Sequence, residues 1–490
     1  MLRSDYWYRF PWLLLAAALA LVGLGVAGIY SATCGAAEPE SFWGTLAAKQ
    51  VVWLAASLAV FGAALLVSYT RLARFSYPLY AVSLAALAVL AVFKHYHIEI
   101  PGFIYPINNA YSWIRIPGTS QSVQPSELMK IAFILSLAYY LRYRKNYRTF
   151  KGLLAPFTMA LAPTALILYQ PDLGTAMLFL PVLFLMLFAA GARAKHLAAI
   201  ILMGLAMVPV FYSSMRGYQR MRIDSWLLQG CAEQMHFALA EPRRPEGAAA
   251  GKPDDAPSEG VAAPRPRLAD DEKAELVRRI TGSGRFRLWR LATAVSWGKD
   301  KAEFAEAKER LFAALDAGEG PRSFEALRLF FGAMLDNPGY QPFQAKIAVG
   351  AGGFGGQGWL QGTQTRYGLL PEAHTDFLYP AMAEQFGFIG AAGIIVLYAL
   401  VCLLGIDVSF STTEPYGKLL VVGVVALVAA QSFLNIAMSI GLMPITGIPL
   451  PLMSYGGSSL VSSFLALGLL CNVAIRRLYL IAPRPFEWRE

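Results

Sequence analysis

The sequence predicts an all-α, polytopic membrane protein of about ten transmembrane helices, with a large extracytoplasmic loop between the seventh and eighth. Three observations carry this. The 490 residues are 56% hydrophobic and only 15% charged. Apolar runs of about 20 residues recur from Phe10 to Cys471, each long enough at 1.5 Å per residue to cross a hydrocarbon core of about 30 Å. The basic residues behind the net charge of +10 sit in short loops between alternate runs: Arg3 and Arg9, Arg71 and Arg74, Arg142 to Lys151, Arg193 and Lys195, Arg476 and Arg477. By the positive-inside rule those loops and both termini are cytoplasmic. Because the charges do not gather on one face of a soluble domain, nucleic acid is excluded as a partner.

Taken in order, the spans begin near Phe10, Leu46, Pro78, Ser126, Leu153, Gly174, His196, Phe377, Leu419 and Tyr455. The first is too long to be the core of a signal peptide and is read as an uncleaved helix. Of the 4 cysteines, Cys402 and Cys471 fall in spans, and Cys34 and Cys231 lie outside with no spacing that suggests a metal or a disulfide. The fourth span opens Gln124-Pro125-Ser126-Glu127, with proline where its missing N–H is harmless. Glu127 and Lys130 share a helical face and can neutralise each other, either as a functional pair or only to stabilise the bundle. Asp172, between the fifth and sixth runs, caps the sixth helix or approaches Lys130; the sequence leaves both open.

The expected organisation is residues 1–215 for spans one to seven, 216–376 for the large loop, and 377–490 for spans eight to ten with a cytoplasmic tail. The loop opens with Arg216, Arg220 and Arg222, basic although outside, which suggests an anionic ligand or a lipid headgroup, or a juxtamembrane anchor. Glu241 to Pro266 has linker composition. Lys273 to Ile280, Phe286 to Trp297, Ala302 to Ala317 and Ser323 to Leu335 have apolar residues at helical spacing, so about 241–336 reads as a helical insert without chemistry of its own. The glycine run Gly350 to Trp359 fits neither a phosphate loop nor a dinucleotide fold, and is read as a place of close backbone approach to another chain or a ligand.

Leu370-Pro371-Glu372-Ala373-His374-Thr375-Asp376-Phe377 places two carboxylates, a histidine and a hydroxyl at the mouth of the apolar run Leu378 to Ile406. Ionisable groups there are costly, so a functional site is the default expectation; the plain alternative is a helix cap by Thr375 or Asp376. In Gly441 to Pro451 and Ser454 to Ser459, repeated proline and glycine argue against continuous helix. Irregular backbone at that depth is tolerated only inside protein or lining a cavity.

Together Gln124 to Glu127, Gln170 to Ala176, Leu370 to Phe377 and Pro444 to Ser459 resemble the SEDS family of shape, elongation, division and sporulation proteins. The resemblance spans Phe10 to Tyr218 and Asn337 to Arg477 and is nearer the RodA than the FtsW branch. It implies a peptidoglycan glycosyltransferase of the bacterial inner (cytoplasmic) membrane that polymerises lipid II for cell-wall elongation, beside a class B penicillin-binding protein as transpeptidase. It implies Asp376 as the essential aspartate and Glu127, Lys130 and Asp172 as polar cavity residues. Glu372, His374, Thr375 and Ser454 are further substrate-binding candidates, and Arg216, Arg220 and Arg222 are candidate pyrophosphate contacts. No metal-ligand set is assigned; the cofactor is open, with a divalent cation (Mg or Mn) at the pyrophosphate as the candidate. Two other classes are a lipid-linked precursor flippase or transporter, expected to show paired broken helices in two halves, and a non-catalytic scaffold, expected to lose the aspartate. The chain departs from the family pattern at Ser112, at Gly368 and in the length of its insert.

Overall fold

No water meets a free N–H or C=O in hydrocarbon, so apolar runs close their backbones as helices. The computed structural model describes residues 9–34, 45–100, 111–115, 122–142, 148–215, 217–240, 270–283, 286–287, 302–316, 321–335 and 339–477. Its helices before the large loop are α1 (Trp12–Cys34), α2 (Leu46–Leu66), α3 (Ser76–His95), α4 (Pro125–Leu141), α5 (Leu154–Tyr169), α6 (Leu173–Ala190) and α7 (Ala194–Ala206). Among the described residues, 9 helices are long and apolar enough to cross a membrane, α3, α5 and α7 as parts of the longer helical runs Tyr69–His95, Lys151–Tyr169 and Ala194–Ser213. The remaining expected span is α4, present with 17 residues and carrying Glu127 and Lys130 inward. Ahead of it, Ile114–Arg115 (β1) pairs antiparallel with Ser122–Val123 (β2), a ribbon not anticipated from sequence.

The chain divides into two units, Met1–Leu202 with Gln344–Glu490, and Met203–Phe343. The second holds α8 (Gly217–Ala240), α9 (Asp270–Thr281), α10 (Ala302–Asp316) and α11 (Pro321–Leu335). Its core joins Leu228, Met235, Ile280, Leu311, Leu327 and Phe330. Three of the four expected insert helices are present; of the fourth, Phe286 to Trp297, only Phe286 and Arg287 are described. The linker Glu241 to Pro266 also lies outside the described residues. The sequence reading missed α8 because its apolar positions are interrupted by arginine, aspartate and glutamine.

The first unit resumes at Gln344, within α12 (Tyr340–Ala351), and α13 (Leu378–Phe410), α14 (Pro415–Ser439) and α15 (Gly457–Arg476) complete its helices. α15 packs on α2, α14 on α6, and α13 on α1 and α14. At one end of the bundle buried Asn472 closes the last turn of α2. Its Nδ2 donates to Ala64 O (2.5 Å) and Val67 O (2.6 Å), and its Oδ1 accepts from Tyr69 N (3.1 Å). Helix ends leave such carbonyls without partners, and here a side chain supplies the missing donor.

α13 is broken at Gly387 (φ 64, ψ −161). The glycine run fills the break: Gln357 N and Gly358 N donate to Glu384 O (2.9 Å) and Gln385 O (3.0 Å), while Phe388 N and Ile389 N donate to Gly353 O (2.9 Å) and Phe354 O (3.3 Å). A Cβ on Gly356 (φ +87) would lie 2.0 Å from Gln385 O. The close approach expected of these glycines is met at Gly352 and Gly356 by this chain's own helix.

Candidate functional site: the Leu370–Phe377 turn and its supports

The apolar residues of the turn pin it. Leu370, Ala373 and Phe377 are buried with Ala345, Ala348, Ala381, Met438 and Ile445. This leaves Glu372 exposed and His374, Thr375 and Asp376 half-buried. Thr375 N (3.1 Å) and Phe377 N (3.2 Å) both donate to Glu372 O, and Thr375 Oγ1 donates to Glu372 Oε2 (2.9 Å). Glu372 sits at φ 53, a left-handed conformation that a non-glycine residue holds only when its surroundings impose it, and such strain gathers at functional turns. The N-cap of α13 is Phe377, which has no side-chain cap. The cap position thus falls on neither Thr375 nor Asp376.

The stretch Thr446 to Ser454 is irregular and buried, as its prolines and glycines require. Ser454 bridges it to the turn: Leu450 N donates to Ser454 Oγ (2.8 Å), which donates to Thr375 O (2.5 Å). Tyr455 N donates to His374 O (3.0 Å), and the Tyr398 hydroxyl donates to Pro451 O. Gln50, buried on α2, donates to Ser454 O (3.1 Å). Gly447 is left-handed (φ +72), and a Cβ there would lie 3.5 Å from Asp376 Oδ2, so this loop forms a wall beside the carboxylate.

Two amides on one face of α14 tie this region to a second polar cluster. Asn435 Nδ2 donates to Asp376 O (2.8 Å) and Ile448 O (2.7 Å). One turn earlier, Gln431 Nε2 donates to Pro449 O (2.9 Å), and Gln431 Oε1 accepts from Lys130 Nζ (3.4 Å). Lys130 pairs with Glu127 at 2.9 Å, and Ser462 Oγ donates to Glu127 Oε2 (2.5 Å). Asp172 caps α6 through Thr175 N (3.0 Å) and accepts from Gln124 Nε2 (2.9 Å). Burial pushes the Asp172 carboxyl above its ordinary range, and the Thr175 hydrogen bonds and the Lys130 charge offset part of that. Of the two readings the sequence left open for Asp172, the cap is present by contact.

Three other expected residues, Arg216, Arg220 and Arg222, belong to the second unit. Arg216 is outside the described residues. In the insert unit, the buried Arg220 guanidinium donates to Met215 O (3.1 Å) and lies 5.6 Å from the Tyr212 ring centre, while Arg222 is half-buried. Sequence reasoning missed Asn435, Gln431, Gln124 and Glu384. The signal for the first two was a pair of amides four residues apart in the apolar run Leu419 to Met438. Glu384, also inside an apolar run, is fully buried and accepts from Gln364 N (2.6 Å), Thr365 N (3.1 Å) and Thr365 Oγ1 (2.7 Å), fixing the short helical turn Thr363–Arg366 that leads into Leu370.

A family model described as cell cycle protein, for FtsW, RodA and SpoVE, matches residues 11–232 and 324–478. The peptidoglycan glycosyltransferase RodA of Treponema pallidum is 29% identical over 96% of this chain and 98% of that protein. The probable peptidoglycan glycosyltransferase FtsW of Geobacter metallireducens is 28% identical over 96% and 95%. Among solved structures, a chain from work on coordination of polymerization and crosslinking by a peptidoglycan synthase complex superposes with a TM-score of 0.60 at 23% identity, covering 95% of this chain and 97% of that one. The rod shape determining protein RodA of Thermus thermophilus does so with a TM-score of 0.53 at 21% identity, covering 96% and 98%.

Proposed function

Because this chain belongs to the cell cycle protein family of FtsW, RodA and SpoVE, we propose that it is a RodA-like peptidoglycan glycosyltransferase that polymerises lipid II, with Asp376 as general base. The observation that carries the reading is the Leu370–Phe377 turn itself. It holds a half-buried carboxylate just before a spanning helix, off the cap position, with its backbone fixed by Asn435 and by Ser454 through Thr375.

In the reaction, the 4-hydroxyl oxygen of one disaccharide unit attacks the anomeric carbon of another. The bond from that carbon to the lipid pyrophosphate breaks with inversion, and Asp376 takes the hydroxyl proton as the new glycosidic bond forms. The leaving pyrophosphate needs positive charge, for which the basic residues at 216, 220 and 222 are the candidates. Among the described residues no three His, Cys, Asp or Glu side chains converge as a metal site. That donor set does not fit a resident metal cage; Mg or Mn would travel with the pyrophosphate, and no step here depends on it.

By the positive-inside rule the turn faces away from the cytoplasm, both termini face it, and the membrane is the bacterial inner membrane. The partner is a class B penicillin-binding protein that crosslinks the strands, a reading supported by the likeness to a chain from work on a peptidoglycan synthase complex. The test is polymerisation of lipid II by the purified chain, with and without its partner. Glycan strands in the assay support the reading, and their absence under both conditions from a folded protein refutes it.

A further inference from the structure

The glycine run has been explained above only as a plug for the break in α13. Its outer face poses a different question. Residues 350–362 contain no charged side chain, yet Phe354 is 73% exposed and Trp359 40%. They adjoin Phe388 (64% exposed) and Ile389 (59%) on α13, and the Phe354 and Phe388 rings stack at 6.1 Å. The exposed apolar surface of a spanning helix therefore continues without interruption onto a loop.

Two independent observations say what covers that surface. The first is depth. From the break at Gly387 to its end at Phe410, α13 rises about 35 Å, which is the hydrocarbon core of about 30 Å and a little more. With Phe410 at one membrane boundary, that length puts the break at the other, where aromatic side chains collect. The second is hydrogen bonding. Besides the four bonds across the break, Gly352 N, Gly353 N and Gly356 N donate to Ala348 O (3.2 Å), Gly350 O (3.3 Å) and Gly352 O (2.8 Å). Gln357 Oε1 accepts from Thr363 N (2.9 Å), and Leu360 N donates to Gln385 Oε1 (3.1 Å). These bonds serve many of the loop's polar backbone groups from within the chain. Irregular backbone at membrane depth cannot do without such closure.

We infer that the segment 350–362 is a membrane-seated wedge, held by the Gly387 break and resting Phe354 and Trp359 on the lipid headgroup–acyl boundary at the Leu378 end of α13. Its occupant is the bilayer itself. The wedge is bonded to Glu384 O and Gln385 O through Gln357 N and Gly358 N, and to the Gln385 side chain through Leu360 N.

The test uses the full chain with Cys34, Cys231, Cys402 and Cys471 replaced, carrying a nitroxide at Phe354→Cys or, in a second protein, at Trp359→Cys. Each is reconstituted in nanodiscs of phosphatidylethanolamine and phosphatidylglycerol, without lipid II, so the outcome is independent of catalysis. Relaxation by oxygen and by a water-soluble nickel chelate is calibrated against Val396→Cys, on the exposed side of α13, and Glu275→Cys, exposed on the polar helix α9. Oxygen access near that at Val396 with nickel access well below that at Glu275 is expected at both positions. Nickel access equal to that at Glu275 would mean an aqueous loop. Poor access to both reagents would mean a protein cover, and either result overturns the inference.

Discussion

Replacing Asn435 with alanine tests how the turn is held. The amide is fully buried, and its Nδ2 donates to Asp376 O at 2.8 Å and Ile448 O at 2.7 Å. Alanine leaves both carbonyls without that donor, and a buried orphan costs about 1–3 kcal/mol. On the proposed mechanism, the share that falls on Asp376 displaces the turn from the geometry in which its carboxylate would meet the acceptor hydroxyl. If that share is lost from the transition state, polymerisation slows by about 5- to 150-fold. Ser432 is the control, since its hydroxyl donates within its own helix to Val428 O (2.7 Å) and Ala429 O (3.2 Å), and Ser432→Ala should stay near the wild-type rate. The assay is strand formation from lipid II by purified protein, with monodispersity and melting followed in parallel. An Asn435→Ala protein that is folded and polymerises at the wild-type rate would refute the reasoning.

Three other perturbations follow from contacts on the same helices. Lys130→Met strands the Glu127 carboxylate, 4% exposed, and should cost about 3–5 kcal/mol of stability, whereas Glu127→Gln with Lys130→Met should recover most of it; equal melting losses in the single and double variants would mean the pair is not coupled. Gly356→Ala forces a Cβ against Gln385 O and should lower the melting temperature strongly, while Gly355→Ala, with nothing within 4 Å of its Cβ, should not; similar melting of the two would contradict the plug. Glu384→Ala removes the acceptor for three donors, and its cost, about 1–3 kcal/mol for each orphan, should appear as a destabilised protein in thermal denaturation in detergent; a melting temperature unchanged from wild type would count against it.

The spans were legible because the bilayer demands long apolar runs, and the sequence states those directly. The Leu370–Phe377 turn was legible because ionisable residues beside such a run are rare. Its supports were not. Asn435 and Gln431 sit in an apolar run where a single amide carries little signal, and their significance depends on carbonyls of a loop that only the fold brings near. The break at Gly387 follows the unremarkable residues Gln385 and Phe386. The glycines that fill it were read as close-approach residues, but one sequence does not show that the backbone met by Gly352 and Gly356 is that of this chain's own α13. Ser454 was expected at the substrate, and its hydroxyl proves to be engaged between two backbone segments, donating to Thr375 O and accepting from Leu450 N.

The most direct measurement of the central claim is strand formation from lipid II by purified, folded Asp376→Asn protein. Asparagine keeps the size of the side chain and leaves the backbone carbonyl that Asn435 holds, but it cannot accept the proton. Loss of a general base costs on the order of 100- to 10,000-fold in rate. The account predicts a protein that still binds lipid II and makes no detectable glycan strands. Polymerisation within a few-fold of wild type would contradict it and move the search for the base to Glu372 and Glu127.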